Sequence, residues 1–204
     1  MKLNKKVKLY NQLYNENTNY KRNLKPMFNI INSTLNFKCN SFLDYGCGNS
    51  NLSDFFENIL NSKVYKYDPA IEKYSKLPDN LRVDLIANCD VMEHIPEDEI
   101  DNLLFEMSKI SKNIFFNIYL KEAKTFLPNG ENAHCTIKPI SWWKSKIKKY
   151  FKTIYIIPTT YKNSVTIITW KISKKNYLKL LYINLLTFVE YIIWLFRIKI
   201  LRKN

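Results

Sequence analysis

Thiols, imidazoles and acids are all scarce in this chain. Its four cysteines, Cys39, Cys47, Cys89 and Cys135, never fall at CxxC spacing. Neither a disulfide framework nor a cysteine-built metal site is therefore expected, and a reduced thiol set points to the cytoplasm. The first residues, MKLNKKVKLYNQ, lack the apolar stretch of a secretory signal. Only two histidines are present, and 18 acidic residues stand against 32 basic ones, for a net charge of +14. A length of 204 residues with 46% hydrophobic side chains can bury one good core and is too short for two full domains.

The excess of base is unevenly placed. Residues 1–26 carry seven basic side chains and one acid, residues 27–173 carry eighteen and sixteen, and residues 174–204 carry seven and one. A protein that bound nucleic acid across its core would carry its charge there. The distribution points instead to end segments that meet an anionic surface, with solubilising lysines on flanking helices as the plainer reading.

Between the ends, strand-like and helix-like stretches alternate. Residues 4–36 read as helical, interrupted by NENTN and Pro26. SFLDYG (41–46) is a short strand ending in glycine, followed by a helical NLSDFFENIL. KVYKYD (63–68) alternates and ends in an acid, AIEKYSKL predicts a short helix, and VDLIANCD (83–90) is the continuous apolar run of a buried parallel strand. PEDEIDNLLFEMSKISK opens with Pro96 and acids and closes with lysines, which suits a helix with its dipole complemented. NIFFNIYL (113–120) is another strand and ISWWKSKIKKYF a helix, while TIYIIPTT and SVTIITWKI pair as an antiparallel hairpin. The pattern predicts an α/β fold, a doubly wound sheet with a terminal antiparallel hairpin. It divides into a helical segment (1–39), a sheet domain (40–173) and an appended amphipathic helix (174–204).

Two stretches carry chemistry. In FLDYGCGNS, Gly46 and Gly48 stand at a strand-to-helix turn where bare backbone can approach a ligand, and Asp68 tips the next strand twenty-two residues after the first glycine. A purely structural turn is the bland reading. In ANCDVMEHI, the spacing i, i+3 and i+4 puts Asp90, Glu93 and His94 on one side of a helical turn, as a solvated first turn or as a site. The second histidine, His134, falls in the polar loop after NIFFNIYL and so belongs to the same rim of the sheet.

The run Asp44-Tyr45-Gly46-Cys47-Gly48-Asn49-Ser50 resembles the first motif of the class I S-adenosylmethionine-dependent methyltransferases, an acid, any residue and GxGxG, with Ser50 at the third glycine. Asp68 in YDPA matches that family's ribose-binding acid, and LIANCDVMEHI is similar to the motif at its fourth strand. The resemblance covers residues 40–172. It implies a Rossmann-like fold with S-adenosyl-L-methionine (SAM) as methyl donor, held around Asp44, Gly46, Gly48, Asp68, Cys89 and Asp90. The chain further resembles a subset in which an acid, two spacers and Glu-His bind a divalent ion, including ubiquinone-pathway O-methyltransferases. The small-RNA 3′-end 2′-O-methyltransferases add a histidine from the loop after the fifth strand, as His134 would. Asp90, Glu93, His94 and His134 are thereby implied as ligands of Mg²⁺ or Mn²⁺, with Asp90 where those families usually carry Glu. Two alternatives stay open: Glu93 and His94 packed under the cofactor without metal, and His134 as general base or acceptor contact.

The segment NYLKLLYINLLTFVEYIIWLFRIKILRKN lies beyond the expected sheet. Between Lys179 and Arg197 its single charge is Glu190. These residues would span roughly 25 Å as a helix, short of the ~30 Å hydrocarbon core. Asn184, Thr187, Glu190 and Arg197 form a polar stripe, with Tyr182, Trp194 and Phe196 among the apolar positions. An interfacial helix on an anionic cytoplasmic leaflet is expected, the alternative being a helix docked on the domain or in a dimer interface. The expected function is SAM-dependent O-methylation of a small-molecule or lipid- or glycan-linked acceptor, at the inner membrane face. An RNA 2′-O-methyltransferase, with nucleic acid as partner, and a non-catalytic SAM-binding module are the competing readings.

Overall fold

The computed structural model describes residues 2–16 and 22–201, with side chains from residue 5 to residue 194. Most of the NENTN interruption lies outside the described residues. Helix α1 (Lys2–Glu16) takes in its first two residues, Asn15 and Glu16, and α2 (Lys25–Thr34) follows. Pro26 begins α2 rather than breaking a helix, because the first turn has no intrahelical use for the missing N–H.

The sheet elements follow as β1 (Ser41–Tyr45), α3 (Leu52–Leu60), β2 (Lys63–Tyr67), β3 (Leu85–Cys89), α4 (Ile100–Ile110), β4 (Ile114–Tyr119), α5 (Ile140–Lys148), β5 (Tyr155–Ile157), β6 (Ser164–Ile168) and α6 (Lys174–Leu201). Six strands lie in the order β2-β1-β3-β4-β6-β5. β1 to β4 run parallel, β6 is antiparallel between β4 and β5, and the hairpin pairs Tyr155 with Ile168. The helix expected at AIEKYSKL is only a 3₁₀ turn, Glu72–Tyr74. Pro78 follows closely, and Leu77 before it is disfavoured in the helical region, so too few residues remain for a helix.

Strand alternation distributes the core. On β1, Phe42 faces the side covered by α2, α3 and α6, while Leu43 faces α4 and α5. Phe42 stacks on Phe56 of α3 at a centroid distance of 3.6 Å, both fully buried, and truncating either to alanine should cost about 3–5 kcal/mol. β3 is buried at every residue, which is why its sequence reads as a continuous apolar run. The carboxyl ends of β1, β2, β3 and β4 share one rim. The chain leaves β1 towards β2 and β3 towards β4, on opposite sides, which opens a crevice there.

Candidate active site

The turn after β1 is built on backbone that side chains would block. Gly46 and Gly48 both have positive φ, +79° and +47°. A Cβ at Gly46 would stand 2.4 Å from Val91 Cγ2, so the turns after β1 and β3 meet only because this residue has no side chain. The N–H groups of Gly46 and Cys47 both donate to Tyr67 O. Gly48 N–H donates to Asp68 Oδ2 at 3.0 Å and Ala70 N–H to Oδ1 at 2.9 Å, so the acid expected to bind a ribose sits beside the glycine turn. Burial raises the Asp68 carboxyl, against the pull of those two N–H donors. Asp44 lies beneath the turn, where Ser53 and Ser50 hydroxyls donate to Oδ2, and burial pushes it up to about 6. Cys89 is buried in the core with Leu52 and Phe56.

The rim after β3 departs from the helical spacing. Asp90 has φ +56°, Val91 is also non-helical, and only Met92–His94 forms a 3₁₀ turn, so Asp90 does not share a side with Glu93 and His94. Its carboxylate accepts from Asn117 Nδ2 at 2.6 Å and pairs with the Arg22 guanidinium. Asp90 is thus held away from the other three implied ligands.

Glu93, His94 and His134 do converge: one ligand atom from each lies within 4.8 Å of the others. The loop carrying His134 is stitched to the Glu93 turn, because Cys135 and Thr136 N–H groups donate to Glu93 O and the Thr136 hydroxyl to Ile95 O. Glu93 is fully buried. Its Oε1 accepts from Tyr119 N–H at 3.1 Å, while Oε2 has no partner. His134 bonds Lys121 O through Nδ1 at 2.6 Å, turning Nε2 to within 4.0 Å of Glu93 Oε1. Tyr10 donates its hydroxyl to Ala133 O at 2.9 Å, so it accepts from His94 Nδ1–H at 2.7 Å, leaving Nε2 as the ligand nitrogen. Burial, then the charge of Asp90, pushes Glu93 up to about 8. Burial, then His134, pulls His94 down to about 4. One carboxylate and two imidazole nitrogens brought this close form the donor set that suits a divalent cation.

Three residues at the site come from the N-terminal segment. Besides Tyr10 at His94, the Tyr14 hydroxyl reaches Asp68 Oδ2 at 3.5 Å and Arg22 pairs with Asp90. Asn11 adds a bond to Ala70 O. α1 thus spans the crevice from the Asp68 side to the His94 side. An open cavity of about 750 Å³ adjoins it, lined by Lys5, Leu9, Pro96, Asp101, Cys135 and Lys146 among others.

No family model matches the sequence, and no curated protein does. Solved structures do. An O-methyltransferase family protein from Burkholderia thailandensis is similar with a TM-score of 0.53 at 10% identity, over 74% of this chain and 57% of that one. The DhpI-SAH complex gives 0.51 at 9% identity, over 79% and 94%. Small RNA methyltransferase HEN1 gives 0.51 at 12% identity, over 73% and 25%. The chain spans little more than half the length of the first of these. By these likenesses the chain has the fold of the class I S-adenosylmethionine-dependent methyltransferases.

Proposed function

We propose that the chain transfers a methyl group from SAM to a hydroxyl of a small-molecule or lipid- or glycan-linked acceptor, at an anionic membrane surface on the cytoplasmic side. The observation that carries the chemistry is the convergence of Glu93, His94 and His134, across the rim from the glycine turn. The cofactor supplies a methyl already activated by its sulfonium, so the protein's work is to align the acceptor and manage one proton. Gly46 and Gly48 leave room for the methionine end, and Asp68 accepts from ribose hydroxyls in place of Tyr14. The Glu93 carboxylate and the Nε2 atoms of His94 and His134 would hold Mg²⁺ or Mn²⁺. When bound, the ion lowers the pKa of the acceptor hydroxyl.

Two measurements test this reading. S-adenosylhomocysteine (SAH) should bind by calorimetry, and Asp68→Ala should weaken it at least about tenfold, the scale of lost charge-assisted hydrogen bonds; a wild type giving no heat ends the proposal. With labelled cofactor and a panel of sugars, phosphorylated metabolites, lipid precursors and RNA 3′ ends, EDTA should abolish transfer and Mn²⁺ restore it. Turnover that survives chelator but is lost in His134→Ala would make His134 the general base instead. The placement of His134 beside Glu93-His94 also favours a second reading, 2′-O-methylation of RNA, and methyl incorporation into RNA 3′ ends alone would select it.

A further inference from the structure

Helix α6 meets the domain along a narrow side of mixed polarity and leaves a broad apolar side to solvent, whereas a helix that only covers a core keeps its apolar side inward. Asn176 donates its side-chain amide to Leu35 O and Asn184 donates to Pro158 O at 2.8 Å. Between them Leu180 is fully buried and Ile183 packs on the core. Facing away from it, Leu178, Tyr182, Leu185 and Phe188 are each more than half exposed, Leu178 at 66%.

The direction of the helix matters. Leu35 precedes β1 and lies at the rim opposite the site, whereas Pro158 follows β5, which runs parallel to β4, and so lies at the catalytic rim. Lys162, in the same hairpin loop, stands 5.7 Å over the Tyr191 ring. Asn163 O in that loop accepts from Leu120 N–H, one residue beyond the Tyr119 N–H that holds Glu93. From Asn176 to Tyr191 the helix rises roughly 22 Å, as much as a strand of six residues, so its last turns project past the catalytic rim.

Charge selects the occupant of this face. Residues 174–204 hold seven basic side chains and one acid. Pairing the helix with a second copy would bring two such cationic segments together, whereas anionic lipid would compensate both. By length and composition Lys174–Trp194 would also suffice to cross a membrane. Crossing would pull Asn176 and Asn184 from the carbonyls they hold and strip Leu180 from the core, and lying in the interface keeps all three.

We propose that α6 seats the domain on an anionic bilayer with its outward apolar face in the lipid interface, and that the catalytic rim thereby opens at the membrane surface towards a lipid-carried hydroxyl. This rests on the methyltransferase reading for the acceptor but not for the surface. Full-length protein should float with vesicles containing phosphatidylglycerol at least about tenfold more than with phosphatidylcholine alone, less so at high salt. The variant Leu178→Glu, Leu185→Glu, Phe188→Glu alters only exposed positions and should stop floating while binding SAH as before. Equal flotation of wild type and variant, a wild type that dimerises and ignores vesicles, or one that shifts RNA instead would each overturn the proposal. SAH calorimetry on the same preparation separates the two readings: protein that floats but takes no SAH keeps the surface and ends the methyltransferase reading. Protein that takes SAH but does not float does the reverse.

Discussion

Glu93→Gln should lower methyl transfer about 100-fold or more while SAH affinity stays within about threefold, since the residue faces the imidazoles and not the glycine turn. The same variant should change how stability depends on pH. In the metal-free fold the Glu93 carboxyl titrates at about 8 instead of its ordinary 4.5, so its stabilising contribution is complete below 4.5 and is lost as pH rises through 8. His94 works in the other direction: held at about 4 against an ordinary 6.5, it contributes above 6.5 and loses that contribution as pH falls towards 4. Between pH 6.5 and 8 the Glu93 effect is therefore unopposed. Raising pH across that window should cost up to about 2 kcal/mol, a fall in Tm of about 4–8 °C for a chain of this size. The Gln variant should lack that slope, and saturating Mn²⁺ should remove it from the wild type by giving the ionised carboxylate a partner. Identical pH profiles of Tm for the two proteins would contradict the burial of Glu93 described above.

Gly46→Ala should be worse for the fold than any other glycine substitution in the chain. Its φ of +79° already disfavours a Cβ, and that atom would meet both methyls of Val91, at 2.4 and 3.0 Å. The turn cannot give way easily, because Gly46 and Cys47 N–H groups share Tyr67 O. A loss of about 3 kcal/mol or more is expected, with SAH binding lost alongside. Adding Val91→Ala should relieve the clash but not the backbone cost, and so restore only part. Gly130→Ala makes the comparison: its φ is +81° with nothing within 4 Å of the new Cβ, so only the backbone cost of about 1–2 kcal/mol applies. Chemical denaturation of the three variants beside the wild type measures the order, and a Gly46→Ala protein as stable as Gly130→Ala would show that the turns after β1 and β3 do not touch.

The strands and the glycine turn were legible because each announces itself locally, by an apolar run that stops at a glycine or an acid. That Glu93 and His94 share a rim with His134 was legible for a related reason, the first two standing shortly after one buried strand and the third in the loop that leaves the next. Asp90 misled because i, i+3 and i+4 share a side only if the backbone between them is helical, and a left-handed residue at the head of the run breaks that condition. Tyr10, Tyr14 and Arg22 were invisible: they act across 84, 54 and 68 residues of sequence, and nothing in α1 distinguishes a tyrosine that meets the site from one that meets solvent. The polar stripe of the last helix could be read from spacing, but not that Asn184 faces the hairpin, since that depends on where Pro158 is carried by the fold.

The two borders of the sheet bear on how the chain behaves in concentrated solution. β2 closes one border as a five-residue strand carrying Lys63 and Lys66, and β5 closes the other with three residues before a proline that has no N–H to offer. Short, charged or proline-stopped borders are poor templates for another chain's strand, so growth of the sheet from one molecule to the next is disfavoured at both sides. Colloidal behaviour then falls to α6, and charge on its outward face, rather than any change to the strands, is the lever that should govern how much of this chain stays dispersed.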